Sequence, residues 1–262
     1  MCILQKKTIN RFRLIMKNTV IHGDCLDIMK SIPNSSIDMI LCDLPYGTTQ
    51  NKWDSIINLD ELWLQYNRII KENGAIVLTS MQPFTSSLVN SNLKSFKYCW
   101  YWVKNRATGV LNAKKQPLRN IEEICIFNVK KYNPQGLIRY DKQSRNGKKD
   151  SENYGKGKTN SYIQEFTNYP KQLLEFDSVQ RVIHPTQKPT ELFEYLIKTY
   201  TNEGDIVLDN CAGSGTTGIA CMNTNRNCIL IEKDKNYFDI INERIDKYKQ
   251  QRAGEFSFEN AS

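Results

Sequence analysis

Hydrophobic residues in this chain form short continuous runs that alternate with amphipathic segments. Residues 37–42 are almost entirely apolar, as in a parallel strand that is covered on both faces. The segment "LDELWLQYNRIIKEN" predicts an amphipathic helix that ends near Gly74, and the apolar residues 75–79 predict the next strand. Two further strands are predicted at residues 96–105 and 122–131.

The same alternation returns in the last third of the chain. The helical pattern "PTELFEYLIKTYT" precedes the apolar run "DIVLDNC", a glycine-rich turn and a second helical pattern. The strand "CILIEKD" and an amphipathic C-terminal helix follow. Strands that alternate with helices predict an α/β fold with a doubly wound, mainly parallel sheet of the Rossmann-like kind.

Residues 130–178 lose this periodicity and become polar and basic. Between Lys130 and Lys158 there are nine Lys/Arg and three Asp/Glu, interleaved with tyrosine, asparagine and glutamine. The whole chain has a net charge of +8 and a pI near 9.0, which favours a polyanionic partner. Lysine and arginine in such a region suit phosphate contacts, and Asn, Gln and Arg suit base edges. A solvated basic loop without a ligand is the alternative.

Composition excludes several classes of protein. No run of about 18 apolar residues predicts a membrane span, and the basic N-terminus lacks the apolar core of a secretory signal. The eight cysteines are scattered without a CxxC pair, so we expect reduced, buried thiols and a cytoplasmic protein. With two histidines and no clustered ligands, no metal site is expected.

The segment "DNCAGSGTTG" carries the first candidate site. A predicted strand ends at Asp209, and Gly213, Gly215 and Gly218 allow the backbone to approach a ligand before the helix begins. Glu232, at the end of the following strand, could accept hydrogen bonds from ribose hydroxyls. The pattern favours a nucleoside cofactor, whereas a P-loop is disfavoured because no Gly-Lys-Ser/Thr follows. A tight strand-to-helix turn with a capping acid is the alternative.

The segment "LCDLPYGTT" carries the second candidate site, because the buried run 37–42 ends directly in Asp43, Leu44, Pro45 and Tyr46. The carboxyl ends of strands are where doubly wound folds bind ligands. A carboxylate and a projecting main-chain carbonyl can accept the N–H groups of a planar amine, and an aromatic ring can stack on its base. An ordinary type I turn is the alternative.

Four segments together resemble the S-adenosylmethionine-dependent DNA amino-methyltransferases, which methylate adenine N6 or cytosine N4. "DLPYG" is similar to the family's DPPY motif, and "DNCAGSGTTG" is similar to its methionine-binding motif DPFxGSGTT. "HPTQKP" and "GDCLDIMKSIPNSSIDMI" resemble the segments that precede these two motifs. The order, with the catalytic motif before a variable basic region and the cofactor motif last, resembles the β group. Leu44, Asn210 and Cys211 depart from the family pattern.

The resemblance implies a role for each matching residue. The carboxylate of Asp43 and the carbonyl of Leu44 would hold the target amine, with Pro45 restraining the turn and Tyr46 stacking on the flipped base. Asp209 and its glycine-rich loop would cradle the methionine part of the cofactor, Glu232 would bind ribose, and Asp24 would lie near adenine. The implied S-adenosylmethionine-binding residues are Asp24, Thr186, Lys188, Asp209, Ala212, Gly213, Ser214, Gly215, Thr216, Thr217 and Glu232. For "HPTQKP", a Pro-containing helix entry is the alternative.

The implied reaction is direct methyl transfer to the N6 amine of adenine in double-stranded DNA after base flipping. Adenine is favoured over cytosine N4 because the motif begins with Asp rather than Ser, and cytosine-C5 chemistry is excluded because no Pro-Cys pair is present. An RNA or protein amino-methyltransferase, an inactive nucleic-acid-binding module and a nicotinamide-dependent dehydrogenase are the rival hypotheses. A homodimer and a cognate restriction endonuclease are further partners to test, in a bacterial or phage-infected cytoplasm.

The resemblance also implies a domain organisation. A seven-stranded methyltransferase sheet would be interrupted by a basic target-recognition region. The expected segments are a basic extension (1–18), a catalytic half (19–129), the target-recognition insertion (130–178), a cofactor-binding half (179–250) and a flexible tail (251–262).

Overall fold

A mainly parallel sheet with helices on both faces forms the larger of two compact units in a computed structural model. The structure describes residues 18–47, 55–145, 161–180 and 187–259. The larger unit contains the described parts of residues 1–133 and 172–262, and the smaller unit comprises those of 134–171. The strands are β1 Thr19–His22, β2 Ile37–Asp43, β3 Ile70–Ser80, β4 Phe96–Thr108, β5 Arg119–Phe127, β6 Ile138–Arg145, β7 Ser161–Thr167, β8 Leu173–Glu175, β9 Ile206–Asp209 and β10 Asn227–Glu232.

The sheet of the larger unit has the strand order β1-β10-β9-β2-β3-β5-β4-β8. The first five strands in this order are parallel, β5 runs antiparallel to β3, and β4 runs antiparallel to β5. This arrangement confirms the predicted α/β fold, with eight strands rather than seven. The helices are α1 Cys25–Met29, α2 Leu59–Ile69, α3 Phe84–Ser91, α4 Thr190–Tyr200, α5 Thr216–Asn223 and α6 Lys235–Glu259, with a 3₁₀ turn at Val110–Asn112.

The sheet is buried on both faces, as the continuous apolar run in β2 predicted. Ile40 and Cys42 belong to a core cluster with helix α2, whereas Met39 and Leu41 belong to a second cluster with α4, α5 and α6. Successive side chains of a strand point to opposite faces, so a doubly covered strand needs apolar residues at every position. The two layers of helices thus leave the ends of the strands as the accessible part of the sheet.

Strand β3 begins earlier than the sequence predicted. Helix α2 ends at Ile69, because the backbone from Ile70 onward pairs with β2 instead of continuing the helix to Gly74. Gly74 therefore lies inside a strand. A Cβ atom at this position would be 2.7 Å from the backbone oxygen of Asp38, so the neighbouring strand leaves no space for a side chain.

Two further segments are more regular than the sequence predicted. Within residues 130–178, β6 and β7 form an antiparallel pair in the smaller unit, while β8 pairs with β4 and supplies the eighth strand of the large sheet. Helix α6 continues to Glu259, past the expected start of a flexible tail at residue 251. The residues after 250 begin with Gln, Arg and Ala, which have high helix propensity.

Candidate active site

Several loops that follow the parallel strands meet around one cavity of about 540 Å³. The carboxyl ends of parallel strands share one edge of the sheet, and this is where doubly wound folds bind ligands. The volume lies within the usual range for a small-molecule site. Its lining includes Asp24, Asp43, Leu44, Pro45, Tyr46, Lys188, Asp209, Asn210, Cys211, Ala212, Gly213, Ser214, Thr216, Thr217 and Glu232.

Asp43 is the last residue of β2, and both of its carboxylate oxygens accept hydrogen bonds. Oδ1 accepts from the Tyr46 hydroxyl at 2.7 Å and from the Thr79 hydroxyl. Oδ2 accepts from Nζ of Lys188 at 2.6 Å. Thr79 is the register partner of Asp43 on β3, so pairing of the two strands brings its hydroxyl to the carboxylate. Asp43 is therefore held from three directions.

Lys188 links Asp43 to a second carboxylate. Its side chain is 5% exposed, and its Nζ lies 3.4 Å from Oε2 of Glu122 on β5. Burial opposes the charged form of Lys188, yet the negative charges of Asp43 and Glu122 raise its pKa. Lys104 on β4 in turn donates to Oε1 of Glu122 at 2.7 Å. The result is a row of four charges of alternating sign.

Tyr46 is oriented through both its ring and its hydroxyl. The ring stacks on Phe84 with centroids 5.5 Å apart, and the hydroxyl lies 3.1 Å from Oγ1 of Thr79. Burial and the negative charge of Asp43 raise the pKa of Tyr46 well above its ordinary value, so the phenol stays protonated and donates. The Leu44 side chain is in the hydrophobic core, which gives leucine a packing role where the family has proline.

Asp209, at the end of β9, is buried at the base of the glycine-rich loop. Its Oδ2 accepts from the Thr217 hydroxyl at 2.5 Å, and its Oδ1 accepts from the backbone N–H of Cys211 at 3.1 Å. Burial raises the pKa of Asp209 to about 7, against the effect of these hydrogen bonds. Asp43 adds a smaller contribution in the same direction, because the two carboxylates repel each other.

The glycine-rich loop is shaped by positive backbone angles. Gly213 has φ +53° and Gly215, which caps helix α5, has φ +77°. A Cβ atom at Gly215 would also come within 3.0 Å of Ile241. The N–H of Gly213 donates to Oε2 of Glu232 at 2.7 Å, so Glu232 fixes the loop. Ser214 and Thr216 are buried in this turn, and Ser214 accepts a hydrogen bond from Arg244 at 2.9 Å through its carbonyl.

Asp24 lies beside Glu232 because β1 and β10 are neighbours in the sheet. Asp24 caps helix α1 by accepting from the N–H of Leu26 at 3.0 Å, and its other oxygen is 3.1 Å from Nζ of Lys233. Burial raises the pKa of Glu232. For Asp24, burial is outweighed by Lys233 and backbone donors, so its pKa is lowered. The two acids thus occupy one end of the cavity in different charge environments.

The two residues that depart from the family's Pro-Phe pair have their own structural partners. Oδ1 of buried Asn210 accepts from the Tyr66 hydroxyl at 2.5 Å. Cys211 packs partly against the core cluster that contains Cys25 and Cys42. The departures therefore coincide with a buried hydrogen bond between the loop and helix α2, and with a small thiol at the cavity wall.

The structure brings most of the predicted site residues to one cavity. Thr186 lies outside the described residues, and Lys188, expected among the cofactor-binding residues, lines the cavity and donates to Asp43. Sequence reasoning missed Thr79 and Glu122 at the site. The sequence held a signal for Thr79, because it is the last residue of the strand predicted at 75–79, which follows the Asp43 strand along the chain. It held no signal for Glu122.

Comparison with known proteins identifies the class. Residues 37–243 match the DNA methylase family of N6 and N4 methyltransferases, so the chain belongs to this family. It is 27% identical to the type II methyltransferase M.HpaI of Haemophilus parainfluenzae, over 88% of this chain and 75% of that protein. It is 29% identical to the DNA adenine methyltransferase YhdJ of Escherichia coli K12, over 91% of this chain and 86% of that protein.

Solved structures agree with this assignment. The complex of M1.HpyAVI with S-adenosylmethionine superposes with a TM-score of 0.58 at 26% identity, over 86% of this chain and 98% of that one. The cytosine-N4-specific PvuII methyltransferase superposes with a TM-score of 0.62 at 16% identity, over 85% and 84%, and shows the shared fold. The chain is therefore a DNA methyltransferase of the N6/N4 family that depends on S-adenosylmethionine.

The cavity fits this cofactor by its own features. It combines a glycine turn that brings backbone close to a ligand with a buried acid at the end of β9 and a partly buried acid at the end of β10. Among the described residues, no group of His, Cys, Asp and Glu side chains could hold a metal ion. No helix in the described part of the chain is long and apolar enough to cross a membrane.

Proposed function

We propose that this chain is a site-specific DNA methyltransferase that acts on the N6 amine of adenine. The observation that carries the proposal is Asp43, which ends β2 in the cavity wall with Tyr46 hydrogen-bonded beside it. The motif begins with Asp rather than the Ser typical of cytosine-N4 enzymes. One relative over nearly the whole chain, YhdJ, is named an adenine methyltransferase, which also supports adenine.

The cofactor would occupy the cavity between the two motifs. Asp209 and the loop from Ala212 to Thr217 would hold the methionine part, Glu232 would accept from the ribose hydroxyls, and Asp24 would lie near adenine. S-adenosylmethionine supplies a methyl group activated by its sulfonium. Asp209 is hydrogen-bonded by neutral donors in the described residues, so it suits the cationic ammonium of the methionine part.

The chain's own residues would activate the target amine. The lone pair of an exocyclic amine is delocalised into the base. A hydrogen bond from that amine to Asp43 draws the nitrogen toward tetrahedral geometry and frees the lone pair. The carbonyl of Leu44 would accept the second N–H, and the ring of Tyr46 would stack on the flipped base. Catalysis then consists mainly of positioning and electrostatic stabilisation.

The smaller unit is the proposed element for target recognition. Its antiparallel strands β6 and β7 carry basic and aromatic side chains close together: Lys142 Nζ lies 4.9 Å from the centroid of the Tyr140 ring, and Arg139 Cζ lies 5.2 Å from that of Phe166. Ile163 is 66% exposed. A two-stranded ribbon fits the major groove of DNA, where side chains read base edges.

Salt dependence tests this assignment. If Arg139 and Lys142 contact phosphates, replacing both with Ala should reduce the slope of log affinity against log salt by about 2, at roughly 0.9 per contact. The exposed pair Lys30 and Asp27 on the larger unit offers a control, Lys30→Ala, which should leave the slope unchanged. An unchanged slope in the Arg139→Ala/Lys142→Ala variant would remove strand β6 from the DNA interface.

The function is tested by methyl transfer from radiolabelled S-adenosylmethionine to unmethylated genomic DNA, followed by mass spectrometry of the nucleosides. We expect 6-methyladenine. A 4-methylcytosine product would keep the class and overturn the base assignment. No incorporation into DNA, with the cofactor bound, would direct the search to RNA or protein substrates.

A further inference from the structure

Four buried or nearly buried charges lie in a row behind the proposed target-base site. The order is Lys104, Glu122, Lys188 and Asp43, and the contacts are 2.7, 3.4 and 2.6 Å long. The exposed fractions of the four side chains are 9, 13, 5 and 19%. Ion pairs this shielded from water interact strongly, so their arrangement affects whatever binds Asp43.

The arrangement poses a problem for the reaction. The target amine must donate to Asp43, but Lys188 already donates to Oδ2, and Tyr46 and Thr79 donate to Oδ1. The amine nitrogen also gains positive charge as it takes the methyl group. A cation 2.6 Å from the carboxylate competes for the same oxygen and repels that developing charge.

Glu122 offers Lys188 a second position. Its Oε2 is buried and accepts no hydrogen bond from any residue that the structure describes, although Lys188 Nζ is only 3.4 Å away. A charge-assisted hydrogen bond is ordinarily 2.7–2.9 Å long, so a small displacement of the ammonium would complete it. Lys104 holds the other oxygen of Glu122 and keeps the carboxylate in place.

We propose that Glu122 is a positioning residue that takes over Lys188 when the target amine binds Asp43. This inference rests on the proposed function. In the free enzyme Lys188 neutralises Asp43. On binding of the flipped base, the lysine ammonium moves to Oε2 of Glu122, and Oδ2 of Asp43 becomes the acceptor for the amine. Glu122 itself touches neither base nor cofactor.

The experiment compares Glu122→Gln with the double variant Glu122→Gln/Lys188→Met in single-turnover methyl transfer with DNA and cofactor saturating. Glutamine keeps the shape of Glu122 and removes the charge that receives Lys188. We expect Glu122→Gln to lower the rate at least tenfold while the cofactor Kd stays within about twofold, in line with the loss of one charge-assisted hydrogen bond. The matched control is Glu72→Gln, because Glu72 is 90% exposed in its pair with Lys130.

The double variant separates this role from a structural one. Without Lys188, nothing has to leave Asp43, so the double variant should react at least about fivefold faster than Glu122→Gln. A damaged fold predicts the opposite, since two buried substitutions disturb packing more than one. If Glu122→Gln does not fold, Glu122→Asp retains the charge but withdraws it from Lys188, and the same rescue by Lys188→Met is expected.

Three outcomes overturn the proposal. The first is a rate for Glu122→Gln equal to that of Glu72→Gln, and the second is a double variant as slow as Glu122→Gln. The third is a Lys188→Met single variant that changes only the cofactor Kd, because Lys188 would then act in cofactor binding alone. Failure of the wild-type chain to methylate DNA would refute the proposed function instead, so the two failures are distinguishable.

Discussion

The charge of Asp209 should make cofactor binding depend on pH. Burial raises its pKa to about 7 in the free protein, whereas the ammonium of the methionine part needs an ionised partner. At pH 5.5 about 97% of Asp209 would be protonated, and at pH 7 about half. If only the ionised form binds, the cofactor Kd should fall roughly 15-fold between these two values. The amino group of the ligand, with a pKa of about 8, stays charged throughout.

The same shift has a consequence for stability. A carboxyl whose pKa is higher in the folded than in the unfolded state stabilises the protein at low pH. This contribution is fully present below about 3.8 and is lost as the pH rises through about 7. The shift corresponds to a contribution on the order of 4 kcal/mol for Asp209. The free energy of unfolding of the cofactor-free protein should therefore decrease between pH 5 and 7.5. Bound cofactor should increase this free energy more at pH 7.5 than at pH 5.

Isothermal titration calorimetry in buffers of different ionisation enthalpy measures both the Kd and the protons released. At pH 6 we expect about 0.9 proton released from Asp209 per cofactor bound. Asp209→Asn is the control, because it should bind weakly with no such release. Glu232 also has a raised pKa, so a proton release that persists in Asp209→Asn would refute the assignment to Asp209.

Three further substitutions test other parts of the structure. Asp43→Ala should abolish methyl transfer while leaving the cofactor Kd nearly unchanged, and substantial methylation by this variant would remove Asp43 from the mechanism. Gly74→Ala should lower the free energy of unfolding by about 1–3 kcal/mol in urea titrations, because its Cβ would lie 2.7 Å from the backbone oxygen of Asp38; an unchanged midpoint would contradict this. Tyr66→Phe should cost about 1–3 kcal/mol, because Oδ1 of buried Asn210 loses its donor; a neutral effect would mean that another donor replaces it.

The sequence predicted that Asp43 and Asp209 end strands at the ligand-binding edge of the sheet, and it could do so because the features involved are local. Asp43 and Asp209 each follow an apolar strand, and parallel strands place such residues at one edge of the sheet. Pairing of β2 with β9, at Met39 with Val207 and Ile40 with Leu208, then brings the two motifs side by side. The glycine-rich loop was equally predictable, since its positive φ angles favour the glycines that are present.

The charges around Asp43 could not be predicted in this way. In the sequence, Glu122 is one of two adjacent acids on an antiparallel strand. Its contact with Lys188 joins residues that are far apart in the chain. The hydrogen bond between Tyr66 and Asn210 spans 144 positions. The local pattern of hydrophobic and polar residues indicates which face of a helix or strand is apolar. The pairing of buried polar groups depends instead on how distant elements pack.

The two neighbouring carboxylates of the cavity lie in different charge environments. Asp43 already has a cation, Lys188, at 2.6 Å, whereas the described residues give Asp209 neutral donors, and its pKa is raised to about 7. A cationic ligand such as the methionine ammonium would therefore supply the positive charge that the described donors do not give Asp209. A neutral amine that becomes positive during the reaction instead suits Asp43, provided that Lys188 withdraws toward Glu122. Under the proposed function, the difference in charge environment would place the cofactor at Asp209 and the base at Asp43, and the proposed movement of Lys188 would give Glu122 its role.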